Sequence, residues 1–305
     1  MKILVTGVAG QLGFDVMNEL AKRGHEPIGS DIVSEYTSSF PYVTLDITDA
    51  EAVHTCITTI RPDAVIHCAA WTAVDAAEDE ENIEKVTAIN EAGTKNIAKA
   101  CKTIGAKMMY ISTDYVFDGQ GETPWTPDCK DYAPLNVYGK TKLAGELAVA
   151  DTLDAYFIVR IAWVFGVNGK NFIKTMLNVG KRFEQLRVVC DQIGTPTYTY
   201  DLARLLVDMV ETEKYGYYHA TNEGGYISWY DFTKEIFRQA VELGYTEYNE
   251  EQLTVTPVTT EEYGVSKAAR PFNSRLDKTK LVENGFTPLP TWQDALSRYL
   301  KEIEF

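Results

Sequence analysis

Tyr138 and Lys142, in the segment Tyr-Gly-Lys-Thr-Lys, have side chains that could transfer a proton together. Residues four apart share one face of a helix, so a phenol and an ammonium would lie side by side. A phenol is a poor acid or base at neutral pH while its pKa is near about 10, but a nearby ammonium lowers that pKa. The pair therefore predicts proton transfer to a carbonyl oxygen that is becoming an alkoxide. Taken alone, the motif fits an exposed tyrosine and lysine on an ordinary helix equally well.

A hydroxyl group could assist the same reaction from a neighbouring strand. The apolar run that begins at Lys107 continues into Ser112 and Thr113, so their hydroxyls are expected at the carboxyl end of a strand. A hydroxyl in that place can hydrogen-bond a reacting carbonyl group.

A glycine-rich turn could hold a diphosphate. Its glycines, Gly7, Gly10 and Gly13, lie between an apolar run over residues 3–5 and an amphipathic segment over residues 16–20. Glycine lets the backbone approach a ligand without a Cβ in the way, and a helix N-terminus offers free N–H groups and the positive end of a dipole. The spacing differs from the commonest dinucleotide fingerprint, and an ordinary strand–helix turn that needs small residues is the alternative.

A carboxylate, Asp31, strengthens the dinucleotide interpretation. It follows a second apolar run, residues 27–29, at about the distance expected for an acid on the adenosine ribose. Such a carboxylate can bond the ribose 2′-OH of NADH and would repel the 2′-phosphate of NADPH, although Ser30 and Ser34 offer neutral hydrogen bonds to a phosphate. With the proton-transfer groups, this site suits hydride transfer, in which the cofactor does the redox chemistry and the protein positions and protonates.

The elements that must position these residues alternate between strand-like and helix-like segments through the first half of the chain. Predicted strands cover residues 42–45, 64–67, 107–111 and 156–159, and predicted helices cover residues 49–60, 83–103, 143–150 and 171–179. Apolar strands without a polar face indicate a parallel sheet covered by helices on both sides, with its site at the carboxyl ends of the strands.

The pattern changes after about residue 180. Strand-like pieces shorten to residues 187–189 and 217–219, and helices are predicted over residues 200–210, 229–243 and 292–301. We expect an α/β fold, a Rossmann-type doubly wound parallel sheet with a smaller α/β C-terminal substrate lobe. Residues 1–165 would form mainly the NAD(P)-binding domain and residues 166–305 mainly the substrate lobe, with some elements crossing back to the sheet.

Composition narrows the class of protein. The chain has 305 residues, 45% of them hydrophobic and 24% charged, with a net charge of −15, which disfavours binding to nucleic acid and anionic membranes. Its five cysteines form no Cys-x-x-Cys pair, so neither a zinc knuckle nor a disulfide framework is indicated. The N-terminal apolar run is interpreted as a core strand, not a signal peptide, and a cytoplasmic location is expected.

Longer segments resemble the extended short-chain dehydrogenases of the nucleotide-sugar branch and, within it, the dTDP-4-dehydrorhamnose reductase family. These segments are residues 10–13, 68–78, 112–119, 134–142, 160–166, 191–197, 270–274 and 291–295. They span nearly the whole chain in family order, so the match is specific, whereas the Tyr-x-x-x-Lys pair alone would identify only the superfamily.

The resemblance implies roles by position. The catalytic residues would be Thr113, Tyr138 and Lys142. The residues that would bind the cofactor are Gly7, Gly10, Gln11, Leu12, Gly13, Asp31, Asp46, Ile47, Ala69, Ala70, Thr72, Tyr138 and Lys142. Candidates for the sugar-nucleotide side are Val74, Asp75, Trp163, Asn171, Phe172 and Arg270. Core packing is the alternative for Trp163 and Phe172, and a surface salt bridge for Arg270.

The activity that the resemblance implies is reduction of the 4-keto group of dTDP-4-dehydro-L-rhamnose to dTDP-L-rhamnose by NADH or NADPH, with Tyr138 as the proton donor. The 4,6-dehydratases of the superfamily have an Asp-Glu pair after the active-site Thr, whereas here Asp114 is followed by Tyr115. That difference argues against a dehydratase.

Alternatives stay open at this point: a reductase or 4-epimerase of another nucleotide sugar, or a non-catalytic regulatory subunit on the same fold. The sequence does not decide which keto-sugar is used, whether NADH or NADPH is preferred, or whether the chain is a monomer or a homodimer. Some family members dimerise around a carboxylate-bound metal. Acidic residues such as Asp15 and Glu19 do not show whether a metal is needed here, and no metal ligand is assigned.

Overall fold

Strands and helices alternate along the chain in the computed structural model, which describes residues 1–305. The strands are β1 (Lys2–Thr6), β2 (Glu26–Asp31), β3 (Tyr42–Thr44), β4 (Ala64–His67), β5 (Lys107–Thr113), β6 (Tyr156–Ile161), β7 (Val164–Phe165), β8 (Gln185–Val189), β9 (Ile193–Gly194), β10 (Thr197–Tyr198), β11 (Gly216–His219), β12 (Ile227–Ser228) and β13 (Thr254–Val258). The helices are α1 (Gln11–Lys22), α2 (Ala50–Ile60), α3 (Glu80–Thr87), α4 (Thr94–Ile104), α5 (Val137–Thr152), α6 (Phe172–Gly180), α7 (Thr199–Val210), α8 (Trp229–Glu242), α9 (Thr260–Tyr263), α10 (Thr279–Glu283) and α11 (Trp292–Glu302).

Seven of the strands form one parallel sheet in the order β11-β6-β5-β4-β1-β2-β3. From β1 the chain moves outward through β2 and β3, then returns to β4 on the other side of β1 and proceeds through β5 and β6. The strand order therefore reverses between β1 and β4, and a crevice opens there at the carboxyl ends of the strands. The prediction of a Rossmann-type doubly wound parallel sheet is confirmed.

Alternating residues of β1 show why both faces of the sheet are covered. Ile3 and Val5 pack into one apolar core with residues of α1 and α7, such as Val16, whereas Leu4 packs into a second core with residues of α2, α4 and α5, such as Ile97. Successive side chains of a strand point to opposite faces, so a strand buried on both faces is apolar throughout.

The helix predicted over residues 83–103 is not continuous α-helix. A π-helical segment, Ala88–Gly93, separates α3 from α4. Within it, the Asn90 side chain accepts a hydrogen bond from the Trp71 N–H at 2.8 Å and donates to the Thr141 hydroxyl at 3.1 Å. Such π-helical turns are frequent at functional sites, and this one ties the segment after β4 to α5.

A third apolar core lies within the C-terminal lobe. It joins α6, α8 and α11 through aromatic residues such as Phe165, Phe232 and Tyr299. Short strands complete the lobe, with β8 pairing β13 and β9 pairing β12. By contrast, α7 packs against α1 and β11 extends the main sheet, although both lie beyond residue 165. None of the helices combines the length and the hydropathy needed to cross a membrane.

Candidate active site

A cavity of about 880 Å³ opens at the carboxyl ends of the central strands, between the sheet and the C-terminal lobe. It brings together most of the predicted site residues: Gly7, Gly10, Gln11, Leu12, Gly13, Asp31, Asp46, Ile47, Ala69, Ala70, Thr72, Val74, Thr113, Tyr138, Lys142, Trp163, Phe172 and Arg270. Two predicted residues, Asp75 and Asn171, are not among those that line it.

The glycine-rich turn is closely packed against the backbone around it. Gly7 has a φ of +73°, and a Cβ there would lie 2.6 Å from the Ala69 nitrogen. At Gly13 a Cβ would lie 2.3 Å from the Gly7 oxygen. Gly10 precedes α1 without a side-chain cap, so the first N–H groups of the helix have no side-chain acceptor. The turn therefore leaves room, donors and a positive dipole end for an anionic ligand.

Asp31 ends β2 at the wall of the cavity. Its Oδ2 accepts a hydrogen bond from the Ala9 N–H at 3.0 Å, and its Oδ1 accepts one from the Ile32 N–H at 2.8 Å. The carboxylate therefore supports the glycine-rich turn and keeps lone pairs for a ribose hydroxyl.

Tyr138 and Lys142 both lie on α5, which begins at Val137, earlier than the predicted residue 143. The Asn136 side chain explains the earlier start, because its Oδ1 accepts a hydrogen bond from the Gly139 N–H at 2.7 Å. Gly139 packs tightly below them, since a Cβ there would lie 2.3 Å from the Tyr115 oxygen.

Lys142 is buried, with 3% of its surface exposed. Its ammonium donates to the carbonyl oxygen of Ile111 at 2.7 Å and lies 4.2 Å from the centroid of the Tyr110 ring. Burial lowers the pKa of Lys142 to about 7, and the Glu146 carboxylate opposes that shift.

Burial raises the pKa of Tyr138 above its ordinary value, and hydrogen bonding with Thr113 opposes the shift. The prediction from the sequence that the pKa of Tyr138 is lowered is therefore wrong for the folded chain. Desolvation of the phenolate dominates, while the Lys142 ammonium donates to the Ile111 carbonyl. A phenol of this kind is protonated at neutral pH and is suited to donate a proton.

Thr113 is the last residue of β5 and is buried beside α5. Its Oγ1 accepts a hydrogen bond from the Tyr115 N–H at 3.2 Å, and its hydroxyl donates to Asp114 Oδ1 at 3.1 Å. Both contacts hold the hydroxyl at the edge of the cavity that Tyr138 borders.

Aromatic residues form the wall of the cavity on the side of the C-terminal lobe. The Trp163 ring stacks on the Trp229 ring with centroids 3.7 Å apart, and the Phe172 ring lies 4.4 Å from that of Trp229. Trp163 has a φ of 51°, a conformation that non-glycine residues rarely adopt. At Gly194 a Cβ would lie 2.9 Å from the Trp163 ring, so this indole is held on both sides.

Arg270 borders the cavity and pairs with Asp75 through two hydrogen bonds, at 3.0 Å and 2.7 Å. Asp75 also accepts hydrogen bonds from the Lys267 and Ala268 N–H groups. The pair fastens the segment around residue 270 to the segment that follows β4.

The side chain of Asn171 hydrogen-bonds neighbouring elements of the protein. Its Oδ1 caps α6 by accepting from the Lys174 N–H, and its Nδ2 donates to Gln11 Oε1 at 3.1 Å and to the Tyr299 hydroxyl at 2.9 Å. Because these contacts use its polar atoms, Asn171 orients Gln11 at the start of α1.

The cavity-lining residues that were not predicted from the sequence include Lys170, Trp229 and Phe232. A local signal exists for Trp229, because Ser228 and Asp231 form a capping box that places it at the start of α8. Nothing local indicates that this helix start faces the carboxyl ends of the sheet. The structure contains no group of three or more His, Cys, Asp or Glu side chains that could hold a metal ion.

Comparison with known proteins places this geometry in a family. The family model described as the RmlD substrate binding domain matches residues 1–305. The dTDP-4-dehydrorhamnose reductase of Shigella flexneri is 37% identical, over 99% of this chain and 98% of the relative. A crystal structure of a dTDP-4-dehydrorhamnose reductase from Clostridium acetobutylicum superposes with a TM-score of 0.88 at 40% identity and covers 99% of both chains. That of the enzyme from Bacillus anthracis, in complex with NADP, has a TM-score of 0.87 at 39% identity over 99% of both chains. The chain therefore belongs to the dTDP-4-dehydrorhamnose reductase family.

Proposed function

We propose that this chain is an NAD(P)H-dependent oxidoreductase that reduces the 4-keto group of dTDP-4-dehydro-L-rhamnose to give dTDP-L-rhamnose. The main support is the cavity that places Thr113, Tyr138 and Lys142 beside the glycine-rich turn. Relatives of this name match over nearly the whole chain. A regulatory subunit that only binds ligands would not need all three of these side chains in one cavity.

The residues around the turn fit a nicotinamide dinucleotide. A Cβ at Gly7 or Gly13 would collide with neighbouring backbone, and the start of α1 offers N–H groups for the diphosphate. Asp31 would meet the adenosine ribose, Asp46 and Ile47 would flank the adenine, and the backbone from Ala69 to Thr72 would line the path to the nicotinamide. The bound cofactor would supply the hydride.

Tyr138 and its neighbours would handle the proton. A phenol with a raised pKa stays protonated at neutral pH, which suits donation to the developing 4-alkoxide in the reductive direction. The Thr113 hydroxyl would hold the carbonyl oxygen, and Lys142 would stabilise negative charge near the phenol. Residues 1–165 would bind mainly the cofactor and residues 166–305 mainly the dTDP-sugar.

Turnover assays with a panel of nucleotide keto-sugars test this function. We expect one NAD(P)H to be oxidised for each dTDP-4-dehydro-L-rhamnose reduced. A nucleotide-sugar 4-epimerase would instead retain its NAD through each cycle and release it when the purified protein is heated. Product without net cofactor oxidation would therefore contradict a reductase.

Asp31 leads us to expect NADH as the better cofactor. A carboxylate bonds the ribose 2′-OH and repels a 2′-phosphate, and Asp31 lines the cavity. Asp31→Asn should reduce the ratio of kcat/KM for NADH to that for NADPH by about tenfold, a free-energy change of about 1.4 kcal/mol.

The matched control is Asp46→Asn, since Asp46 also lines the cavity but accepts its hydrogen bonds from Thr48. That variant should leave the cofactor ratio unchanged. A strong preference of the unmodified protein for NADPH would remove Asp31 as the discriminating residue. The Bacillus anthracis relative was crystallised with NADP, so the measurement also shows whether this chain prefers the same cofactor.

Arg270 should bind the diphosphate of the dTDP-sugar, because it borders the cavity and its guanidinium can engage phosphate oxygens. Arg270→Ala should raise the KM for the dTDP-sugar by about 10–100-fold, as expected for loss of a charged hydrogen bond. The KM for the cofactor should change far less.

Lys267→Ala is the matched control for Arg270, because Lys267 pairs with Asp79 on the same two segments but does not line the cavity. Equal changes in both Michaelis constants for Arg270→Ala, or no change in either, would show that Arg270 serves only to fasten the two segments.

A further inference from the structure

The β7–α6 loop, residues 166–171, lies against the glycine-rich turn. The Asn168 side chain donates hydrogen bonds to two carbonyl oxygens of that turn, at 2.9 Å and 3.1 Å. At Gly169 a Cβ would lie 3.4 Å from the Gln11 side chain, so the loop also lies beside the first residue of α1. A segment of the C-terminal lobe therefore reaches the place where the structure offers N–H groups to an anionic ligand.

Hydrogen bonds fix the conformation of the β7–α6 loop. The Lys174 ammonium donates to the carbonyl oxygen of Val167 at 2.6 Å and to that of Gly169 at 2.9 Å. The Asn171 side chain donates to the carbonyl oxygen of Gly166 at 2.9 Å. Gly169 has a φ of +86°, a conformation that glycine adopts without steric cost. The loop is therefore a defined support for the one side chain that it contributes between Gly169 and Asn171.

That side chain is Lys170, which is exposed and lines the cavity. Its ammonium forms no hydrogen bond or salt bridge with the protein. The other two cations that line the cavity have partners, since Lys142 donates to the Ile111 carbonyl and Arg270 pairs with Asp75. Lys170 is therefore the cation of the cavity that has no partner in the protein.

The start of α1 alone offers little positive charge to a diphosphate. A helix N-terminus is equivalent to about half an elementary charge. The chain has a net charge of −15, and the carboxylates of Asp31 and Asp46 also line the cavity. A lysine ammonium supplies a full charge and three donors, and it is a common ligand of phosphate groups. Lys170 and the start of α1 together therefore suit an anion with two negative charges.

We propose that Lys170 binds the diphosphate of the nicotinamide cofactor and that the β7–α6 loop holds it at the glycine-rich turn for this purpose. The inference rests on the nicotinamide cofactor of the proposed function, and it does not depend on which keto-sugar is reduced. Lys170 transfers no proton and forms no covalent bond. Through this residue the C-terminal lobe, which would bind mainly the dTDP-sugar, also contributes to binding of the cofactor.

Fluorescence titrations with NADH and with NADPH measure this contact without turnover. Lys170→Met should raise both dissociation constants by about 5–20-fold, a smaller effect than for a buried charge because Lys170 is exposed. Lys170→Arg restores the charge and should recover most of the affinity. Lys301→Met is the matched control, because Lys301 is exposed on the same lobe and does not line the cavity. Its dissociation constants should equal those of the unmodified protein.

Two other diphosphates show which ligand Lys170 serves. ADP-ribose keeps the diphosphate of the cofactor and lacks the nicotinamide, so Lys170→Met should weaken its binding by the same factor as that of NADH. The nucleotide dTDP, titrated in the presence of saturating NADPH, reports on the sugar-nucleotide side, and its dissociation constant should stay unchanged. Weaker binding of dTDP with unchanged binding of ADP-ribose would assign Lys170 to the substrate and overturn the proposal.

Ionic strength separates an effect of charge from an effect of side-chain shape. Salt screens contacts between exposed charges, with a Debye length of about 10 Å at 0.1 M. The dissociation constant of NADH should therefore rise more steeply with salt for the unmodified protein than for Lys170→Met. Parallel salt dependences would show that the ammonium does not act through its charge, and they would contradict the proposal.

Asn168→Ala tests the role of the loop, because it removes both side-chain hydrogen bonds to the turn. In that background Lys170→Met should weaken NADH binding less than it does in the unmodified protein, since residues that act through one structural unit have non-additive effects. Thermal unfolding establishes that each variant is folded. Equal effects of Lys170→Met in the two backgrounds would overturn the role assigned to the loop.

The proposed function can fail separately. If NADH or NADPH binds and no keto-sugar is reduced, the reductase activity is refuted, while the titrations still decide whether Lys170 binds the cofactor. If turnover is observed and Lys170→Met binds both cofactors as tightly as the unmodified protein does, the inference about Lys170 is refuted and the reductase stands.

Discussion

Replacing Tyr138 with Phe should lower kcat by about 10²–10⁴-fold, the usual contribution of a general acid. The substitution removes only the phenolic oxygen and keeps the ring that meets Tyr115 edge to face at 5.5 Å. Because burial raises the pKa of Tyr138, the phenol is the protonated group poised to neutralise the 4-alkoxide. The cofactor dissociation constant should change little, since Lys142 and the glycine-rich turn remain.

Single-turnover oxidation of NAD(P)H and fluorescence titration of the cofactor separate these two effects. Tyr200→Phe is the matched control, because Tyr200 is exposed at the surface of α7 and lies outside the cavity. Near-normal turnover by purified Tyr138→Phe would remove Tyr138 from the mechanism.

Lys142→Met should reduce both the rate and the affinity for the cofactor. The ammonium lies between Ile111 and Tyr110 and would serve the phenol and the nicotinamide ribose together. Loss of a charged hydrogen bond predicts a dissociation constant about 10–100-fold higher, and loss of charge stabilisation near the phenol predicts a kcat at least about 100-fold lower. Methionine preserves most of the buried volume, which limits the structural cost.

Lys140→Met on the same helix is the control, since Lys140 is exposed and does not line the cavity. It should affect neither quantity. If Lys142→Met bound the cofactor normally but turned over slowly, Lys142 would act on the phenol alone. Unchanged turnover would exclude it from catalysis.

Local patterns determined the fold class and the proximity of Tyr138 and Lys142. Strand β4 has the bounds that the sequence predicted, and all of its residues are apolar or buried. Strands of this kind indicate a parallel sheet, because each strand of such a sheet is buried on both faces. The spacing of Tyr138 and Lys142 places them on one helix face wherever the helix begins. The spacing of the glycines lies within one strand–turn–helix unit and is local, whereas the turn packs against Ala69 and is supported by Asp31 through long-range contacts.

Long-range contacts decided the remainder of the site. Arg270 and Asp75 meet although they lie 195 residues apart in the chain, and Trp229 stacks on Trp163 only because the C-terminal lobe packs over the sheet. No local periodicity encodes such pairs. Asn171 is a comparable case, because its hydrogen bond to Gln11 joins residues that lie 160 positions apart in the chain.

The protonation of the side chains in the proposed site also depends on the tertiary structure. The sequence places an ammonium one helical turn from Tyr138, which by itself predicts a lowered pKa for the phenol. In the folded chain the pKa of Tyr138 is raised, that of Lys142 is lowered to about 7 and that of Asp114 is raised to about 6. Each shift arises first from burial, and burial is a property of the whole assembly of sheet, helices and lobe around a side chain. The sequence by itself therefore determined which groups could do chemistry, and the tertiary structure decided their charge.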